Sequence, residues 1–270
     1  MKPLDHWGKA ARQWHKVGQP LKPTTEDIRA LELFIRHSNV ARPRVLLLGV
    51  TPEIAAMDWP AGTRLLAVDR SIDMIKYAWA GANAAEVYVA CADWCELPLA
   101  DSSRDIIVGD GCMLVFDYPH GFRRALESFR RVLTPGGLLS HRFFLRPEQG
   151  EPPAAVFDDL FAGRIKNFHV FKWRLAMWLH GDIEDGVRLG DVWDCWHDAV
   201  PDANALSESL NWQLETISSI DYYRDSDTRF IFPTLEEVRR ARLPYFKEVR
   251  CYVPKYECGE RFQTLLFEAL

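Results

Sequence analysis

Across its 270 residues the sequence has no apolar run approaching the roughly 18 residues that a membrane-spanning helix needs. That excludes a helical integral membrane protein. The opening residues, Met1-Lys2-Pro3-Leu4-Asp5-His6, lack the apolar segment of a secretory leader. Cysteine is scarce and unordered. The six cysteines, at 91, 95, 112, 195, 251 and 258, make no Cys-x-x-Cys pair and no Cys/His set with zinc-ligand spacing, so no metal site is expected. They read as reduced, mostly buried thiols of a cytoplasmic protein. Positive charge is in deficit as well, with a formal net charge of -5. Nucleic acid as the main ligand is therefore disfavoured, because phosphate binding needs a basic surface. Arg239, Arg240 and Arg242 read as a solvated helix face. Internal repeats and low-complexity tracts are also lacking.

What remains is a globular chain, 48% hydrophobic, able to bury one large domain or one domain with an insertion. A helix is expected around Trp7 to His15, then a Pro/Lys-rich joint at Gly18–Pro23. Thr24 or Thr25 can cap a second helix through Ile28, Leu31, Phe34 and Ile35. From Arg44 the pattern changes. Val45-Leu46-Leu47-Leu48-Gly49 is a continuous apolar run, as in a strand covered on both faces. Thr51-Pro52-Glu53 starts a helix, with a hydroxyl at N-cap and proline behind it. Further strands are expected at Leu65–Asp69, Val87–Ala90, Asp105–Gly109 and Leu138–Phe144. Helices are expected after Ser71 and from Gly121 to Leu133, the latter stopping at Thr134-Pro135-Gly136-Gly137.

Strands alternating with helices over short turns imply parallel pairing with right-handed crossovers. Between about 147 and 231 the alternation breaks. Pro147, Pro152 and Pro153 mark a loop, and helical stretches rich in Trp and Phe follow. Order resumes at Thr234, which caps another helix. The link from Pro254 to Arg261 is too short for a crossover helix, so strands Val249–Val253 and Phe262–Phe267 should pair antiparallel. The expected fold is α/β and doubly wound. Its mostly parallel seven-stranded sheet ends in an antiparallel strand, with a helical insertion after strand five. The chain divides into an N-terminal helical lid (1–43), a core (44–146), the insertion (147–231) and a C-terminal completion of the core (232–270).

Ligands of open α/β sheets bind at the carboxyl ends of the strands. Gly49 ends strand one before a helix. Asp69 ends strand two about twenty residues later, the spacing at which a carboxylate accepts from ribose hydroxyls. Asp93 follows strand three, where a carboxylate can accept from an exocyclic amine while the next backbone N–H meets a ring nitrogen. Each has a bland reading: a tight turn, a helix-capping acid, an ordinary loop residue. Their joint placement on successive strands favours a nucleoside.

These stretches, Val45–Gly49, Leu66–Ser71, Ala92–Pro98 and Arg131-Val132-Leu133-Thr134-Pro135-Gly136-Gly137, resemble the successive motifs of class I S-adenosylmethionine-dependent methyltransferases. The likeness covers residues 44–146 and, more loosely, 232–270. It implies that S-adenosylmethionine is the cofactor. Gly49, Thr51 and their neighbours would approach its methionine part, Asp69 with Arg70 beside it the ribose, and Asp93 and Trp94 the adenine. Asp110 and Gly111 would face the methionine and the methyl acceptor. The first motif departs from the family, because Gly49-Val50-Thr51-Pro52-Glu53 lacks its usual acid and two of its three glycines. Glu53 can stand in as partner of the donor's ammonium. The departure also admits a methyltransferase-like protein that binds a nucleoside or a protein partner without catalysis.

Methyl transfer from a sulfonium is an in-line displacement, helped by a base where the nucleophile carries a proton. His120 and His15 are the candidate bases, since imidazole titrates near neutrality. His141 and Arg142 are adjacent on a strand, so at most one faces a given pocket. The Asn/Asp-Pro-Pro-Tyr/Phe signature that the resemblance would tie to methylation of bases or glutamine is missing. A small-molecule acceptor is expected instead. Trp7 or Trp14 would cover the donor or acceptor, unless both rings only pack the first helix. Trp173, Trp178, Trp193, Trp196 and His197 of the insertion would either cap the acceptor pocket or bury their own rings, in the subdomain or in a homodimer contact.

Overall fold

The computed structural model describes residues 6–152 and 154–270. The readings of Met1–Asp5 and of Pro153 lie outside them. The strands are β1 (Arg44–Leu48), β2 (Arg64–Asp69), β3 (Glu86–Cys91), β4 (Arg104–Asp110), β5 (Leu133–Arg142), the two-residue β6 (Val187–Arg188) and β7 (Arg229–Phe230), β8 (Phe246–Tyr252) and β9 (Thr264–Ala269). Seven of them form one sheet in the order β3-β2-β1-β4-β5-β9-β8. The first five run parallel, and β9 is antiparallel to both β5 and β8. This is the doubly wound, seven-stranded arrangement the alternation predicts.

Alternate residues of the central strands feed two separate cores. Val45 and Leu47 of β1 and Ile106 and Val108 of β4 pack with helices α2 (Thr25–Ile35), α3 (Pro52–Ala55) and α4 (Ile72–Ala78). On the opposite face Leu46, Leu48 and Ile107 pack with α5 (His120–Val132) and with α11 (Leu235–Ala241). Both faces are covered, which is why these strands read as unbroken apolar runs. Thr24, not Thr25, caps α2, in a reciprocal box with Asp27, and Thr234 forms the same box with Glu237 at α11.

The fifth strand begins earlier than expected. Its pairing with β4 jumps from Arg104↔Leu133 to Ile106↔Leu138, so Thr134–Gly137 bulge out of the ladder. Gly136 sits at φ +72° and a Cβ on Gly137 would lie 2.9 Å from the Thr134 carbonyl; the two glycines make that bulge possible. The first helix, α1 (His6–Arg12), stops short of His15, which falls in a 3₁₀ turn at Trp14–Lys16.

The insertion comprises α6 (Ala155–Phe161), α7 (Phe168–Leu179), α8 (Leu189–Ala199), α9 (Ala203–Leu210) and α10 (Leu214–Ile217). It has its own core, around Phe168, Phe171 and Trp196, which also takes in Ala10, Val17 and Phe144. The backbone of Ile231 donates to the Leu114 carbonyl at 2.8 Å, fastening the far end of the insertion to the turn after β4. Among the described residues no helix is long and apolar enough to cross a membrane.

Candidate active site

The carboxyl ends of β1, β2 and β4 open into one cleft roofed by α1 and the insertion. Its inner part, about 840 Å³ with its mouth included, is bounded by Gly49–Thr51, Asp69, Asp110–Cys112, Phe144 and, from the roof, Trp7, Trp14, Trp173, Tyr222, Tyr223 and Phe230. Its outer part is bounded by Asp69–Ser71, Asp93, Trp94, Phe116, Thr228 and Arg229. Asp69 and Trp94, with His6, Trp7 and Val115, belong to both.

Asp69 is the hinge of this arrangement. Its Oδ1 accepts from the Ser71 amide at 2.7 Å, while Oδ2 faces Gly49, 3.8 Å from where a Cβ there would stand. Burial raises its pKa to about 6 against the opposing pull of that amide, because no cation neutralises it. Gly49 itself lies at φ +83°, a conformation that favours glycine. The two glycines missing from the motif are not needed for backbone reasons. Thr51 is extended, at φ -60° and ψ 110°, and Glu53 is helical, conformations open to any residue. The Thr51 hydroxyl makes no capping bond, contrary to expectation.

Asp110 has the opposite electrostatics. Its carboxylate is gripped by Arg142, Nε at 2.6 Å and Nη2 at 3.1 Å. The guanidinium also reaches the Pro20 carbonyl, Asp27 and the Tyr256 hydroxyl, and the side chain is wholly buried. Burial disfavours the Arg142 charge, but Asp110 and Asp27 outweigh it and hold the arginine protonated. Burial also favours neutral Asp110, yet a bidentate cation in contact keeps the pair ionised. His141, next along the strand, turns the other way. It lies against Gly109 and Phe143 with neither ring nitrogen partnered, and burial followed by the Arg142 charge lowers its pKa to about 3.

Residues 48–140 match the model of a family described as a methyltransferase domain. Over those residues the chain is similar to methyltransferase domains. Three solved structures illustrate the likeness of the whole fold. A methyltransferase from Methanosarcina mazei, named as S-adenosylmethionine-dependent, is 14% identical with a TM-score of 0.52, covering 87% of this chain and 97% of its own. The N-methyltransferase NodS from Bradyrhizobium japonicum, solved with S-adenosylhomocysteine, is 11% identical with a TM-score of 0.50, covering 97% and 98%. A Rhodobacter sphaeroides protein described as a putative Zn-dependent alcohol dehydrogenase is 14% identical with a TM-score of 0.56, covering 97% and 98%. No curated protein matches the sequence.

Of the residues singled out in the sequence, Gly49, Thr51, Asp69, Trp94, Asp110, Gly111 and Trp14 bound the inner part of the cleft, and Arg70 and Asp93 the outer part. Asp93 accepts from the Cys95 amide at 2.8 Å and its other oxygen lies 3.8 Å from Arg70. The Trp94 indole N–H is spent on the Val68 carbonyl at 2.7 Å, so only its ring and backbone face the cleft. Glu53 bounds neither part; one oxygen is 4.0 Å from Lys22 and the other is buried without a partner. The two histidines lie elsewhere. His15 is exposed, 3.8 Å from Glu215, and His120 is exposed at the start of α5. The geometry gives neither access to the cleft.

Of the five tryptophans of the insertion, Trp173 alone bounds the cleft. Trp196 is buried in the insertion's own core, and Trp193 stacks on His197 at 4.6 Å. The sequence reading missed Tyr222, Tyr223 and Phe230, which lie where the insertion returns to the sheet, and the lysine behind them. Lys172 is fully buried with its Nζ 3.3 Å from the Ser219 hydroxyl, over the rings of Tyr222 and Tyr223 at 5.0 and 5.2 Å. Burial lowers its pKa to about 7. The available signal was Asp221-Tyr222-Tyr223 followed by Phe230-Ile231-Phe232, an aromatic run closing the insertion.

Proposed function

We propose that the domain transfers the methyl group of S-adenosylmethionine to a small-molecule acceptor held in the inner part of the cleft. One observation carries this reading: Asp69, buried and without a counter-charge, belongs to both parts, so a nucleoside gripped there points one end outward and the other inward. The outer end suits adenine, with Asp93 to accept from its exocyclic amine and the backbone at Trp94 beside it. Asp69 would take the ribose hydroxyls through Oδ2, with Arg70 at the rim. The open space over Gly49 leaves room for the methionine part. The buried, unpartnered Trp14 Nε1 is a donor suited to its carboxylate.

The sulfonium supplies an electrophilic methyl group; the chain supplies alignment. The titratable side chains at the inner part are Asp69, Asp110, Tyr222, Tyr223, Cys112 and His6, and Asp110 is committed to Arg142. Holding donor and acceptor in line, away from bulk water, is therefore the principal catalytic device. A cytoplasmic location is in keeping with six free cysteines. Isothermal titration of the intact protein with S-adenosylmethionine and S-adenosylhomocysteine tests the reading. Micromolar binding of both is expected; no binding of either at millimolar concentration overturns it.

A further inference from the structure

The chemistry of the inner wall narrows the acceptor, given the proposed placement of donor and acceptor on which this inference rests. Seven rings on that wall come from three separate stretches: Trp7 and Trp14 before the sheet, Phe144 after β5, and Trp173, Tyr222, Tyr223 and Phe230 from the insertion. They are fixed against one another. Trp173 stacks on Phe230 at 5.8 Å with planes 4° apart, and its ring meets Phe144 at 4.9 Å and Phe232 at 4.7 Å.

Charge selects further. Among the described residues no lysine or arginine bounds the inner part; Arg70 and Arg229 bound only the outer one. Asp69 stands there unneutralised, so an anionic acceptor meets repulsion and no partner. A cation fares little better on this wall, because Lys172 already lies over the faces of both tyrosines. Polarity selects last. Trp173 is 5% exposed and its Nε1 has no hydrogen-bond partner. An indole N–H can only donate, and a buried donor left unpaired is costly, so its natural complement is an oxygen on the bound molecule.

We infer that the acceptor is a flat, uncharged aromatic molecule bearing an oxygen, seated on the ring wall with that oxygen at the indole N–H of Trp173. Specificity then resides in the insertion, and Trp173 is its polar determinant. A panel of probes titrated into the protein saturated with S-adenosylhomocysteine tests this: 2-naphthol, naphthalene, 2-naphthoate and tetramethylammonium. The expected order puts 2-naphthol about tenfold tighter than naphthalene, from one hydrogen bond to a buried donor, with both ions weaker than either. Trp173→Phe keeps a ring and removes the N–H. It should bring 2-naphthol down to the level of naphthalene and leave S-adenosylhomocysteine binding unchanged. Either ion binding as tightly as 2-naphthol overturns the inference, as does a Trp173→Phe protein that keeps the preference. Should the variant not fold, the order of the four probes on the unaltered protein decides. Failure of S-adenosylhomocysteine to bind is a separate result that strikes the donor reading, and the panel is then scored on the free protein.

Discussion

Asp69 and Asp110 end two strands of one sheet and bound the same cleft, yet the protein treats them in opposite ways. Asp110 is locked into a bidentate pair with Arg142, whereas Asp69 is left with a single backbone amide and a pKa pushed up to about 6 by burial. A carboxylate buried without a cation destabilises the empty protein, and a ligand that donates hydrogen bonds to it relieves that cost. The contrast teaches which acid is structural and which waits for a partner. Sequence position alone gives both the same description.

The contrast breaks most violently at the arginine. Arg142→Met should cost about 3–5 kcal/mol, since it strands two buried carboxylates, Asp27 and Asp110. Urea unfolding measures it, and a loss under 1 kcal/mol would mean the pair is not ionised. At Asp69 the expected effects have opposite signs. Asp69→Asn should weaken donor binding by about 1.5–3 kcal/mol for each charged hydrogen bond lost. The same change should stabilise the empty protein at pH 7 by up to about 3 kcal/mol, the equivalent of the upward shift from 3.8 to about 6. Calorimetry and thermal melts read the two arms separately.

The direction of that shift also sets a pH dependence. The folded pKa of Asp69 lies above its unfolded value, so its contribution to stability is full below about 3.8 and is lost as pH rises through about 6. Donor binding runs the other way, tightening as pH rises through 6, because hydroxyls favour the carboxylate. A donor affinity flat between pH 5 and 7.5 would show that the ribose lies elsewhere. A smaller gain is expected on the far side of β5. His141→Leu replaces an imidazole with two unpartnered nitrogens and should stabilise by about 1–3 kcal/mol, seen as a higher melting temperature. The least effect belongs to His15→Ala and His120→Ala. Both side chains are exposed away from the cleft, so turnover should stay within about twofold, as expected for surface changes. A large loss at His15 would call for a rearranged N-terminal segment, and one at His120 for a shifted start of α5.

The architecture was legible because period and length say the same thing. Val45–Leu48 and Ile106–Val108 are apolar at every position since both faces are buried, and the Pro254–Arg261 link is too short for anything but an antiparallel return. The bulge at Thr134–Gly137 was read as a plain stop, because nothing local says that Leu133 already pairs with Arg104. In the cleft, Gly49, Asp69 and Asp93 announce themselves by their place after strands. The roof does not. Trp173 is far in sequence from Tyr222 and Phe230, and only the packing of α7 against the returning strand β7 brings them together. The partner of Asp110 was equally hidden, since alternation along β5 says that His141 and Arg142 face opposite ways without saying which faces the acid.

The guanidinium of Arg142 touches backbone or side chains at positions 20, 21, 27, 110 and 256. Such a knot ties the segment before α2 and the one after β8 to the middle of the sheet. During synthesis the arginine has no complete set of companions until Tyr256 has left the ribosome, so the native cleft is finished only after β8 has emerged. The segment around Pro20–Asp27 and the one at Tyr256 therefore belong to a single cooperative unit with the sheet between them.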